Sequence, residues 1–169
     1  MQECMFFDAE QLMQQTDCGV LAPLGMRNRE DVFAFYNATL SFPGYFGWNW
    51  DAFHDCIHDL SWLAGTTIHI VHLDVPLANE QDECAKLLSD LYEAKFYSRM
   101  NGKLAAHFHA SDKRFVQELV LKYYKDRGCC DDDCFLKFFN KDESNLGEAL
   151  DMVDKVLADL FFRIGVLKE

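Results

Sequence analysis

Two segments with strand composition, TTIHIVHLD (66–74) and KLAAHFH (103–109), flank a long helical pattern, NEQDECAKLLSDLYEAKFYSR (79–99). A helix between two strands supplies the crossover that a parallel pair needs, with the helix packed on one face of the sheet. Cys84, Leu87, Leu88, Leu91 and Tyr92 form the inward stripe of that helix, and Asn101-Gly102 ends it. Upstream, GVLAPLG (19–25) reads as a further, buried strand. NREDVFAFYNATLSF follows as a helix: Asn28 can cap it, Asp31 stands three residues on, and Val32, Phe35, Tyr36 and Thr39 keep the helical period. The order predicts an α/β fold with a parallel sheet of three strands and helices. Beyond residue 110 the pattern continues with a helix at 112–126, a strand CFLKFF (134–139) and a helix from Asn145 to about Arg163. The sheet is thus expected to gain a further strand and two helices at the C-terminus. The implied division is an arm at 1–18 with room for a short helix, a domain at 19–110, and an extension at 111–169 packed on that domain.

The chain of 169 residues is 50% apolar, with 15 Phe, six Tyr and three Trp, which is a folded composition and enough for one core. No run approaches the length of a membrane span, and the start MQECMFFDAE lacks a basic n-region, so a cytoplasmic, membrane-free protein is expected. Seven cysteines, with no CxxC pair, read as free thiols in a reducing compartment. The net charge is −12, and no basic residue occurs between Arg29 and Lys86, where nine carboxylates fall. Direct nucleic-acid binding needs clustered Lys and Arg and is not expected; a basic protein surface is the natural partner of such a face.

That gap contains the stretch PGYFGWNWDAFHDCIHD (43–59). Pro43 closes the preceding helix, Gly44 and Gly47 tighten the loop, and Asn49 is a good N-cap for a helix with Asp51 in its first turn. At 100° per residue, Trp50, Ala52, Phe53, Cys56, Ile57, Leu60 and Leu63 fall on one arc, and Asp51, His54, Asp55, His58 and Asp59 on the other. Like charges four residues apart repel by a few tenths of a kcal/mol per pair, so the stability of the helix does not explain Asp51, Asp55 and Asp59. Phe46 and Trp50 are expected in the core, whereas Tyr45 is expected outside. Trp62 falls on the acidic arc only if the helix runs that far, and a helix end would turn it inward.

Pro43, Tyr45-Phe46, Gly47-x-Asn49-x-Asp51-Ala52, then His54, Asp55-Cys56 and Ile57 together resemble the barstar family, small intracellular inhibitors of a secreted ribonuclease. The resemblance covers roughly residues 19–109, with a weaker echo at Tyr92-Glu93-Ala94-Lys95. Two positions depart from it: His54 stands where barstar has tryptophan, and Asp59 where it has glycine. The last sixty or so residues have no counterpart there. The resemblance implies inhibition by occlusion of a basic ribonuclease or nuclease toxin, for self-protection or as immunity, with no cofactor and no catalysis. It implies Asp55 as the phosphate mimic, Asp51 beside it, Tyr45 and His54 packed on the enzyme, and Glu93 as a peripheral acid; Asp59, outside the family pattern, is expected to make the same binding face still more acidic. Asn49 is read chiefly as a cap, and Gly47 as a position that lets the backbone approach closely.

The competing reading is a small metal-binding or hydrolytic enzyme using the strand histidines. His69 and His72 lie on opposite faces of one strand and His107 and His109 share a face of another, so imidazoles could meet if the strands are neighbours. Cys129-Cys130 and Cys134 beside Asp131–Asp133 offer a second metal option. A nucleophilic Cys56 is disfavoured, because the helical period turns it away from His54 and His58.

Overall fold

The structure is a computed structural model that describes the backbone at 6–7, 19–63, 67–101 and 103–128, and the side chains at 19–63, 67–94 and 103–128. In chain order the elements are β1 (Phe6–Phe7), β2 (Gly19–Leu21), α1 (Arg29–Leu40), α2 (Trp50–Asp59), β3 (Ile68–His72), α3 (Gln81–Asn101), β4 (Leu104–His109) and α4 (Lys113–Asp126). A 3-10 turn, Ala110–Asp112, joins β4 to α4.

All four strands are parallel, in the order β1-β4-β3-β2. The expected three-stranded sheet is β2, β3 and β4, joined through α1, α2 and α3. A fourth strand comes from the N-terminal arm, where Phe6 and Phe7 pair with Phe108 and His109. So short a pairing leaves no period in the sequence. The α4 helix matches the expected one at 112–126, and it packs against α3. The strand at 134–139, the helix from Asn145 and the short helix of the arm lie outside the described residues.

One expectation is corrected. The apolar run suggests a buried strand at Gly19–Leu21, but β2 is an edge strand and all three of its residues are exposed. The apolar run pointed to a strand, whereas burial depends on its place in the sheet. The central strands β3 and β4 carry the core instead, with Ile70, Val71, Leu104, Ala105, Ala106 and Phe108 buried.

Both caps form as expected. The Asn28 side chain accepts from the Asp31 amide at 2.8 Å, and that of Asn49 accepts from the Ala52 amide at 2.9 Å. Between them, an aromatic cluster joins α1 to the following loop and α2. Phe33 meets Phe46, Trp50 and Phe53 at centroid distances of 5.7, 4.9 and 5.5 Å, and Phe42 meets Phe46 at 5.0 Å. Fully burying side chains of this size is worth roughly 1.5–3 kcal/mol each. The cluster therefore sets the position of the loop as firmly as that of the helices.

Candidate functional site

The loop at 43–49 turns on a backbone bond from the Phe46 amide to the Pro43 carbonyl, 2.9 Å. Phe46 is buried and anchors the turn, while Tyr45 beside it is 77% exposed and Trp48 is 53% exposed. The left-handed residue is Trp48, with φ of 52°, rather than either glycine. Gly47 serves a different purpose: a Cβ there would stand 3.0 Å from the side-chain Nδ2 of Asn49 and 3.6 Å from Ala52 Cβ. It leaves room for the cap, and Asn49 Nδ2 donates back to the Gly47 carbonyl at 3.3 Å.

On α2, Phe53, Cys56 and Ile57 are buried, while Asp51, Asp55 and Asp59 are all exposed. The helix stops at Leu60, whose left-handed φ of 43° forms the C-cap, and Lys103 Nζ donates to the Leu60 carbonyl at 2.8 Å. Leu63 thus lies beyond the helix. Trp62 turns inward, its indole N–H donating to the Leu40 carbonyl at 2.9 Å, although its edge still lines the cleft below. Trp50 is half-buried and donates to Glu83. Burial, reinforced by the Asp55 and Asp59 charges, raises the Cys56 thiol above its usual pKa, so Cys56 is a core residue and a poor nucleophile.

The helical period placed His58 on the outer arc, but α3 covers that side. His54 Nδ1 lies 2.8 Å from Asp90 Oδ1, and His58 Nδ1 lies 3.2 Å from His54 Nε2. His58 Nε2 lies 3.4 Å from the Asp90 carbonyl and 3.8 Å from Glu93 Oε2. The Asp90 side chain is 11% exposed and that of His58 13%, against 47% for His54. The hydrogen bond to Asp90 raises the pKa of His54, whereas burial, helped by the His54 charge, pushes that of His58 down to about 4. Burial also raises both Asp90 and Glu93.

Glu93 is not at the periphery of the acidic face. Its side chain is 12% exposed and accepts a hydrogen bond from the Tyr124 hydroxyl of α4. The structure therefore brings Tyr45, Asp51, His54, Asp55 and Asp59 to one surface, assigns Asn49 and Gly47 to the cap, and places Glu93 beneath. The helical period put His54 and His58 on one face, but neither the burial of His58 nor the part played by Asp90 had a signal in the sequence; an α2–α3 crossing had to be known first. A surface cleft of about 470 Å³ runs along this side of α2, lined by Tyr45, His54, Asp55, His58, Asp59 and Trp62 among others.

The strand histidines do not converge as a set. His69 Nδ1 and His107 Nε2 meet at 2.9 Å, while His72 is on the opposite face, its Nε2 2.9 Å from the Tyr36 hydroxyl. His109 turns to the Ser111 hydroxyl at 2.7 Å and accepts from its amide. Among the described residues, the group with three potential metal-ligating side chains is His54, His58 and Asp90, whose ligand atoms lie within 4.8 Å of one another. Cys129, Cys130 and Cys134 lie outside the described residues.

A parallel α/β layer thus holds an exposed tyrosine on a loop and a row of exposed acids on the capped helix that follows it. The family model of barstar, the barnase inhibitor, matches residues 20–110, and the chain belongs to the barstar family. No curated protein and no solved structure matches it. The family assignment supports a barnase-type ribonuclease-inhibitor role in general terms. No helix among the described residues is long and apolar enough to cross a membrane.

Proposed function

We propose that this protein inhibits a basic ribonuclease by seating α2 and its preceding loop in the enzyme's active site. The observation that carries the reading is that Asp51, Asp55 and Asp59 are all exposed along α2, within the segment that matches the inhibitor family. Asp55 takes the place of a substrate phosphate and meets the cationic groups that would hold it. Asp51 and Asp59 flank it, and Tyr45 and His54 pack against the enzyme. Gly47 and Asn49 act by shaping the loop, and Glu93 backs the row from beneath. A desolvated charge pair at the centre of an interface can be strongly favourable, and opposed charge patches speed encounter. The protein is thus a stoichiometric binder rather than a catalyst, acting in the cytoplasm as self-protection or as immunity against a nuclease toxin.

The test is titration of the protein into a ribonuclease assay, with barnase as the first probe and neighbouring secreted nucleases next. Asp55→Ala is expected to weaken inhibition by about 2 kcal/mol or more, a range taken over from central interface residues in general, barstar's own among them. Unchanged far-ultraviolet circular dichroism and melting temperature would show that the fold survives. Inhibition undiminished by Asp55→Ala, against the same enzyme at the same salt, rejects the proposal.

A further inference from the structure

His54 and His58 stand one helical turn apart on α2, and each has one ring nitrogen directed at an acceptor from α3. Asp90 Oδ1 lies 2.8 Å from His54 Nδ1 and fixes the proton there, which leaves the lone pair on Nε2. The Asp90 carbonyl at 3.4 Å and Glu93 Oε2 at 3.8 Å draw the His58 proton to its Nε2, which leaves the lone pair on Nδ1. Those two lone-pair nitrogens, His54 Nε2 and His58 Nδ1, face each other at 3.2 Å. Two acceptors at that distance repel unless a cation stands between them, either a proton or a metal. Nitrogens bound at 2.0–2.1 Å to a tetrahedral zinc stand roughly 3.3–3.4 Å apart, so the observed spacing already suits a shared metal.

We propose that His54 and His58 form a site for a divalent transition metal, with Asp90 as the buried carboxylate that orients the first ligand. Imidazole nitrogens select zinc, nickel, cobalt or copper over magnesium and calcium, which prefer oxygen. The exposed side of His54 leaves room for water in the remaining positions. The pair His69–His107 is the rival, since its nitrogens meet at 2.9 Å. What distinguishes α2 is the carboxylate: among the described residues only His54 and His58 are grouped with a third ligating side chain, and that side chain is buried. The site does not rest on the inhibitor reading and stands or falls by metal binding alone.

Calorimetric titration of the reduced full chain with NiCl2 and ZnCl2, with MgCl2 as the control, tests it. One equivalent of nickel is expected to bind and magnesium none. His58→Gln should abolish that equivalent, and Asp90→Asn should weaken it about 10–100-fold, as loss of an orienting carboxylate does. Replacing Cys129, Cys130 and Cys134 by serine should leave it in place. Nickel that binds His58→Gln as tightly as the wild type, or is lost only in the cysteine variant, overturns the proposal. If His58→Gln fails to fold, paramagnetic broadening in the wild type decides. Selective loss of the His54 and His58 imidazole signals supports the site, and loss of those of His69 and His107 overturns it.

Discussion

Burial holds the His72 imidazole neutral and pushes its pKa down to about 3, with the His107 charge a smaller cause. The ring stacks on Phe108 at 4.8 Å, and Nδ1 has no hydrogen-bond partner among the described residues. In the unfolded chain a histidine titrates near 6.5. Above that pH both states are neutral, and His72 imposes no pH dependence. As the pH falls below about 6.5 the unfolded state takes up the proton first, so stability declines toward about pH 3, where the folded state can follow. His72→Gln keeps a partner for the Tyr36 hydroxyl and does not titrate. Urea unfolding at pH 7 and pH 5 should show the wild type losing about 2 kcal/mol more than this variant. Equal losses in the two proteins would mean that His72 is not held neutral.

At the scale of an element, α2 depends on its cap. Asn49→Ala removes the acceptor for the Ala52 amide and should cost about 0.5–2 kcal/mol in urea unfolding, whereas Asn49→Asp should cost far less. Gly47→Ala should cost stability for the same reason, by crowding the Asn49 side chain. Such features are legible from sequence because they are local: a cap reaches three residues, and a buried stripe follows the helical period. Phe53, Cys56 and Ile57 inside and Asp51, Asp55 and Asp59 outside needed nothing more. The rest is set by neighbours distant in the chain. His58 obeys the outward period, yet α3 covers it; Glu93 reads as a surface acid until Tyr124 arrives from α4. Likewise β2 has the composition of a core strand but ends at an edge, and β1 is a two-residue pairing that composition cannot announce.

For the whole molecule, the charge is distributed unevenly and the acidic face is preformed. The first 110 residues carry 15 acids against six bases, and the aromatic cluster around Phe33 ties the loop at 43–49 and α2 to α1. A face that needs no rearrangement associates at a rate set by diffusion, orientation and electrostatic steering. On the inhibitor reading, a basic nuclease approaches faster than an uncharged one of the same size, and salt removes that advantage. Between about 0.01 and 1 M ionic strength the screening length shrinks from about 30 to 3 Å, below the reach of steering. Stopped-flow association with barnase should therefore slow by about 10-fold or more over that range, within the 10–10³ that steering supplies. Dissociation, governed by contacts already desolvated, should change much less. Asp59→Asn, which removes a charge from the face and leaves the helix surface otherwise similar, should lower the low-salt association rate and flatten its salt dependence. A salt-insensitive association rate would mean that the acids on α2 do not guide the encounter, whatever they contribute once the complex has formed.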